Sequence, residues 1–274
     1  MKHSKEQIDN IEKEGKKIKF ELFSKFCEVR EGHPGSILSI FDIVNALYLS
    51  DTIKLQKESN NNDTFIMSKG HAASVQYPYL LRKGLISRSD WDNWGKSGDS
   101  NLRVFGNNSI GGIDVTSGSL GHGVGIAAGM ALANRYDKIN YNNFVIISEG
   151  ELYEGSTWEA LLFVAHHKLT NVKIVLDVNR NMILGRPEDN LNLESFDDKF
   201  QAFNFETLRI NGHDYNQIFS GLDFLMDSNE IPKILIADTV KGKGVSFMED
   251  QPESHYWGDM NDNKMKQMLK ELAV

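Results

Sequence analysis

The chain has 274 residues, 40% hydrophobic and 25% charged, with 23 glycines, 5 prolines and a formal net charge of −8. That composition is ordinary for a globular protein and excludes a disordered or collagen-like chain. The one cysteine, Cys27, excludes an internal disulfide, and the acidic balance repels phosphate polymers and anionic lipid, so neither nucleic acid nor a membrane surface is an expected partner.

The opening residues MKHSKEQIDNIEKEGKK lack the apolar core of a secretory signal, and no run reaches the roughly eighteen uncharged apolar residues of a spanning helix. The expectation is a soluble, cytoplasmic chain. Residues 5–30 place Ile8, Ile11, Ile18, Leu22 and Phe26 at helical spacings among charges, which predicts an amphipathic helix. Pro34 and Gly35 punctuate it, and residues 37–49 read as a second helix, apolar nearly all round. Asn60, Asn61 and Asn62 mark a polar loop before a buried strand at residues 64–67.

Beyond these, β-branched runs at residues 144–147, 172–178 and 234–237 alternate with helical stretches. The expected fold is α/β, a doubly wound, mostly parallel sheet with helices on both faces. No repeat or linker interrupts it, so residues 1–274 are expected to form one domain. Ligands of such a fold bind at the carboxyl ends of the strands.

Two strand ends there carry oxygen. The run at residues 144–155 is a strand entering a turn with Glu149 and Glu151, then a helix beginning near Gly155. The next strand ends in Asn179 and Asn181. Consecutive parallel strands end on one edge, so Glu149 and Asn179 can face each other as hard oxygen ligands for Mg2+ or Ca2+, with phosphate and water filling the rest. The plainer reading makes Glu149 a turn residue and Asn179 a cap or Asx turn. Between residues 116 and 130, TSGSLGHGVGIAAGM spaces Gly118, Gly121, Gly123, Gly125 and Gly129 for close backbone approach, by a ligand or by a neighbouring helix. His33, His71 and His255 stand in glycine-flanked or polar settings suited to handling protons or phosphate, whereas His166 and His167 read as surface.

Taken in order, GHPGS at 32–36, SKGHA at 68–72, TSGSLGHG at 116–123, SEGELYEGSTWEA at 148–160, DVNRNMILG at 177–185 and TVKGKGVSFMED at 239–250 resemble the N-terminal half of transketolase, a thiamine diphosphate enzyme. The resemblance covers nearly the whole chain. It implies the diphosphate-binding (PP) fold, thiamine diphosphate as cofactor and Mg2+, or Ca2+ or Mn2+, held by Glu149, Asn179 and the carbonyl of Asn181. It also implies Gly150 and Glu151 at the diphosphate and His71 and His255 near the diphosphate and reacting carbon. Gly118, Ser119 and Leu120 would lie along the cofactor rings, Ile183 at the thiazolium, His33 at substrate hydroxyls and Glu154 at the subunit interface.

A full transketolase has a second domain that contacts the aminopyrimidine and a third, C-terminal one, and neither fits after Val274. The implied protein is the N-terminal subunit of a split transketolase, inactive alone. With a C-terminal subunit, as a heterotetramer burying above roughly 2,000 Å² per pair, it would transfer a two-carbon ketol unit from a ketose to an aldose, sugars or sugar phosphates. The family's Gly-Asp-Gly turn reads Ser148-Glu149-Gly150 here, so the longer arm must fold back or shift the ion. The family's Gly-His-Pro is replaced in Phe105-Gly106-Asn107-Asn108-Ser109, with Asn107 standing for the histidine, which suggests a specialised substrate such as a modified sugar. His122 replaces a usual glutamine. Two other readings share these residues: a non-catalytic assembly subunit of the same fold, and the α-subunit of a 2-oxo acid dehydrogenase.

Overall fold

The computed structural model describes residues 3–56, 62–96, 98, 100–227, 229–258 and 260–273; of the expected polar loop, Asn60 and Asn61 lie outside the described residues. The first helix, α1 (Lys5–Val29), is capped by a Ser4–Gln7 box and turns its apolar stripe inward. The second, α2 (Pro34–Leu49), begins three residues earlier than its apolar run, because a proline at the first helical position costs no hydrogen bond and has φ already set. Pro34 thus opens a helix rather than merely ending one.

There follow β1 (Thr64–Met67), α3 (Tyr77–Arg82), α4 (Arg88–Asp92), α5 (Gly123–Tyr136), β2 (Asn143–Ser148), α6 (Gly155–His166), β3 (Val172–Val178), α7 (Pro187–Asn190), α8 (Phe196–Ala202), β4 (Glu206–Asn211), α9 (Tyr215–Met226), β5 (Lys233–Asp238) and α10 (Asp262–Leu272). The five strands form one parallel sheet in the order β1-β2-β3-β5-β4. The strand β4, unforeseen from the sequence, is one of the two edges: its residues ETLRIN are mostly half-exposed, so no apolar run announces it. The glycine-rich run divides, with Gly118 and Gly121 in a loop at positive φ and residues from Gly123 onward helical.

Successive side chains of a strand point to opposite faces, and the two faces have separate cores. Val145, Ile147, Ile174, Leu176 and Ile236 pack under α5, α6 and α8 with Ala127, Leu161 and Phe200. Phe144, Ile146, Val175 and Leu235 face α1, α2, α9 and α10 with Phe26, Ile40, Leu222 and Met268. Strand order explains the division: the chain advances from β1 through β3 to β4, then steps back to β5 through α9. With crossovers of constant hand, the reversed step places its helix on the other face. Both faces are therefore buried, and function is left to the strand ends. Among the described residues no helix is long and apolar enough to cross a membrane.

Candidate functional site

A cleft of about 590 Å³ opens over the carboxyl ends of β1, β2 and β3. The register pairs Ser148 with Asp177, so Glu149, one residue beyond, and Asn179, two beyond, emerge at the same edge. Both line the cleft, with Asn181 and Gly150. The Glu149 side chain folds toward β3, its Oε2 accepting a hydrogen bond from the Arg180 amide at 2.9 Å. Burial pushes this carboxyl up to about 7, against the pull of Arg180. Asn179 Oδ1 accepts from the Asn181 amide at 3.2 Å, an Asx turn, so the plainer sequence reading of that residue is realised. Asn181 donates to the Asn179 carbonyl at 3.0 Å and to Asp250 at 2.9 Å, while its own buried Oδ1 has no protein partner.

These groups fit a hard divalent cation only with help. Among the described residues no three His, Cys, Asp or Glu side chains cluster as a metal site, so a cation here would draw on one carboxylate, amide or carbonyl oxygens, and the oxygens of a bound anion. The buried Asn181 Oδ1, which has no protein partner, is an acceptor that such a cation could use.

Opposite stand three imidazoles. His33, His71 and His255 form a near-equilateral triangle, with ring centroids 5.3, 5.2 and 5.3 Å apart. Tyr256 flanks His33 at 5.2 Å and His255 at 4.6 Å, and Phe105 closes on His33 at 5.9 Å. Burial, then the ammonium groups of Lys241 and Lys69, hold His33 down to about 4, and burial with Lys241 holds His255 down to about 3. His71 is lowered for the same reasons, burial first and Lys69 next. All three rings are therefore neutral at pH 7. Lys241 Nζ lies 3.3 Å from His255 Nδ1; an ammonium can only donate, so the ring proton of His255 sits on Nε2.

Of the residues singled out from the sequence, His71, Leu120, Glu149, Gly150, Glu154, Asn179, Asn181, Ile183 and His255 line the cleft. His33 stands behind His71 and His255. Gly118 and Ser119 lie on an exposed loop, where Gly118 backs onto Gly70. Glu151 and Asn107 are also outside the lining. Glu151, read as a cofactor contact, is fully buried beneath the wall, where Oε1 accepts from the Gly121 amide at 2.9 Å and from Ser68 Oγ. It fastens the glycine-rich loop to the end of β1. Asn107 is exposed, and its Oδ1 accepts from the Ser109 amide at 2.9 Å in an Asx turn of its own. What the sequence reading left without a role is the pair of lysines. Lys69 and Lys241 are fully buried, one following β1 and one following β5, and a lysine directly before glycine just past a strand end is the signal that marks both.

Residues 16–273 match the family model described as transketolase, thiamine diphosphate binding domain. The chain belongs to this family. It is 35% identical over 253 residues to one subunit of the apulose-4-phosphate transketolase of Phocaeicola vulgatus, covering 91% of this chain and 89% of that one. It is 31% identical over 258 residues to a 6-deoxy-6-sulfo-D-fructose transketolase subunit of Clostridium sp., covering 92% of each. Against the crystal structure of transketolase from Campylobacter jejuni the TM-score is 0.88 at 27% identity, covering 99% of this chain and 43% of that one. The two-faced parallel sheet expected from the sequence is thus the fold of the transketolase N-terminal domain.

Proposed function

We propose that this chain is the diphosphate- and metal-holding subunit of a two-subunit transketolase, one domain over residues 1–274, working in the cytoplasm on a sugar or sugar phosphate. The observation that carries the reading is that one cleft joins the oxygen-bearing ends of β2 and β3 to three neutral histidines backed by two buried lysines. The relatives support the division of labour: those named as single subunits of a transketolase match over nearly their whole length, and the full-length transketolase over 43%.

In this reading Glu149, Asn179 and the Asn181 carbonyl hold Mg2+, with Ca2+ or Mn2+ as substitutes, and the ion with Gly150 holds the diphosphate. Bound thiamine diphosphate supplies the carbon–carbon cleavage chemistry. This chain's groups bind, orient and move protons. His71 and His255 border the diphosphate and reacting carbon, and His255 Nε2–H donates to oxygen as negative charge develops there. His33 takes the place beside substrate hydroxyls, Leu120 with Gly118 and Ser119 borders the cofactor rings, and Ile183 the thiazolium.

A second, C-terminal subunit completes the site. Ile183, Leu184 and Leu191 on the cleft lip are 61, 79 and 60% exposed, an apolar rim that calls for a cover. Glu154, exposed at the same rim, faces that interface in a heterotetramer of two pairs. Its donor is a specialised sugar, in keeping with the names of the relatives.

Calorimetry of thiamine diphosphate with Mg2+, titrated into the co-expressed pair, tests the reading. Binding lost on Glu149→Ala, with two-carbon transfer by the intact pair, is the expected result. Absence of heat from the intact pair overturns it, and consumption of a 2-oxo acid with release of CO2 would instead assign a dehydrogenase subunit.

A further inference from the structure

Two strand-end loops meet at the side of the cleft away from Glu149. Beyond β4, the Gly212 amide donates to the Asp238 carbonyl at 2.8 Å, and a Cβ on Gly212 would lie 2.5 Å from Thr239 Cγ2, so the loop after β4 rests directly on the loop after β5. His213 follows, and its ring spans three elements. Nδ1 lies 2.8 Å from Asp42 Oδ2 on α2, and Nε2 lies 2.9 Å from the Val240 amide nitrogen. A backbone N–H only donates, so Nε2 carries no proton and the ring hydrogen sits on Nδ1, donated to Asp42. Asp42 is itself fixed by Lys19 of α1 at 3.0 Å. The side chains of His213, Asp42 and Lys19 are 10, 11 and 15% exposed, so this chain of contacts is shielded from water.

The residue after Val240 is Lys241, whose Nζ reaches the Pro252 carbonyl and His255 Nδ1, each at 3.3 Å. The main chain on either side is anchored to other backbone, Thr239 N to the Val178 carbonyl at 2.9 Å and Gly242 N to the Gly35 carbonyl at 3.0 Å. Between these anchors it is an imidazole that receives the Val240 amide.

We propose that His213 is a positioning residue. It ties the Val240 amide to Asp42 on the helical layer and so sets where Lys241, and through it His255, stands in the cleft. Its meaning for the cofactor rests on the function proposed above; the linkage itself does not. The ring is chosen because only an imidazole reaches a carboxylate with one edge and an amide with the other. Two substitutions separate those halves. His213→Gln extends an oxygen to the place of Nε2 and can still accept from Val240. His213→Asn extends an amide to the place of Nδ1 and can still donate to Asp42, but falls short of Val240.

The test uses the full chain labelled at histidine nitrogens, followed by hydrogen exchange at the Val240 amide, the ring signals of His213 and His255, and calorimetry of thiamine diphosphate with Mg2+ on the co-expressed pair. The wild-type His213 ring is expected as the Nδ1–H tautomer. His213→Gln should keep Val240 protected, leave the His255 signal in place and change cofactor affinity by less than about threefold, whereas His213→Asn should lose protection, shift His255 and weaken affinity about tenfold, the scale of one neutral hydrogen bond. Should His213→Asn not fold, Val240→Pro, which deletes the donor and leaves the Asp42 contact intact, is expected to move the His255 signal likewise. An Nε2–H tautomer in the wild type, or equal His255 signals in the Gln and Asn variants, overturns the proposal. If the wild-type pair binds no cofactor the functional reading fails, and the exchange and ring signals still decide the role of His213.

Discussion

Lys69 and Asp177 form an ion pair beneath the cleft in which neither side chain has any solvent exposure. The same carboxylate accepts from Ser39 Oγ at 2.7 Å and from Thr239 Oγ1, so one group joins the end of β3 to the loop after β1, to α2 and to the loop after β5. Removing one partner of a buried pair strands the other charge in a poorly polarisable interior, at a cost of about 3–5 kcal/mol. Asp177→Ala should therefore lower stability in urea by about that amount, whereas the apolar double variant Lys69→Met, Asp177→Leu should recover most of it. A single variant within about 1 kcal/mol of the wild type would mean that water reaches the pair.

Two glycines should respond to alanine with opposite sign. A Cβ on Gly70 would meet the Gly118 amide nitrogen at 2.5 Å, backbone that cannot swing aside, so Gly70→Ala must push apart the loops after β1 and before α5. The expected loss is about 1–3 kcal/mol, with weaker cofactor binding because His71 follows Gly70. Gly129 lies within α5, and nothing stands within 4 Å of its added methyl. Gly129→Ala should stabilise by about 0.5–1 kcal/mol through helix propensity. Thermal unfolding of the two variants checks both signs.

The buried histidines set a pH dependence. His33 and His255 bind protons in the folded chain only near pH 4 and pH 3, against an ordinary value of 6.5. Between those limits the unfolded chain binds more protons, so stability rises with pH, is fully present above about 6.5, and is lost as pH falls toward 4. Glu149, pushed up to about 7, acts in the opposite sense as pH falls from 7, so the histidine contribution is read as a difference: on acidification from pH 7 to pH 4 the unfolding midpoint of the cofactor-free chain should fall less in His33→Asn than in the wild type. Lys241→Met removes an ammonium that faces both rings, so His255 should titrate at higher pH in a proton NMR titration. An unchanged His255 titration would show that the Lys241 ammonium does not hold it down.

How much of this was legible in the sequence follows from what each residue does physically. Apolar periodicity marks burial, so α1, α2 and the strands β1, β2, β3 and β5 were readable to within a few residues. The edge strand β4 was not, because a strand half-exposed to water needs no apolar run. Glu149 and Asn179 were found because parallel strands end together, a rule of topology. Where Glu151 points was not legible, because a carboxylate two residues from the turn looks the same in sequence whether it lies in the cleft or beneath it. The exposed position of Asn107 was not legible either, because substitution for a family histidine does not say where the loop carries the new side chain. The lysines escaped notice because a lysine's burial depends on partners, Asp177 among them, that lie far off along the chain.

Metal preference should depend on one methylene. Glu149 is longer by that group than the family's aspartate, and the extra length is taken up by folding back onto the Arg180 amide, which donates to Oε2 at 2.9 Å; in the function proposed above Oε1 is the oxygen that would meet the cation. Mg2+ demands oxygens near 2.0–2.1 Å in a regular octahedron, whereas Ca2+ accepts about 2.3–2.6 Å and irregular geometry. A tethered carboxylate of longer reach suits the more tolerant ion, so the wild-type pair should discriminate weakly between Mg2+ and Ca2+ when either supports thiamine diphosphate binding. Glu149→Asp shortens the arm and releases the tether, and should favour Mg2+ over Ca2+ by about tenfold relative to the wild type, a difference of about 1.4 kcal/mol. Chelation of the metal should abolish high-affinity binding of the cofactor in both. Calorimetric titrations with each ion read the ratio directly, and an unaltered ratio in Glu149→Asp would mean that the carboxylate at position 149 does not touch the metal.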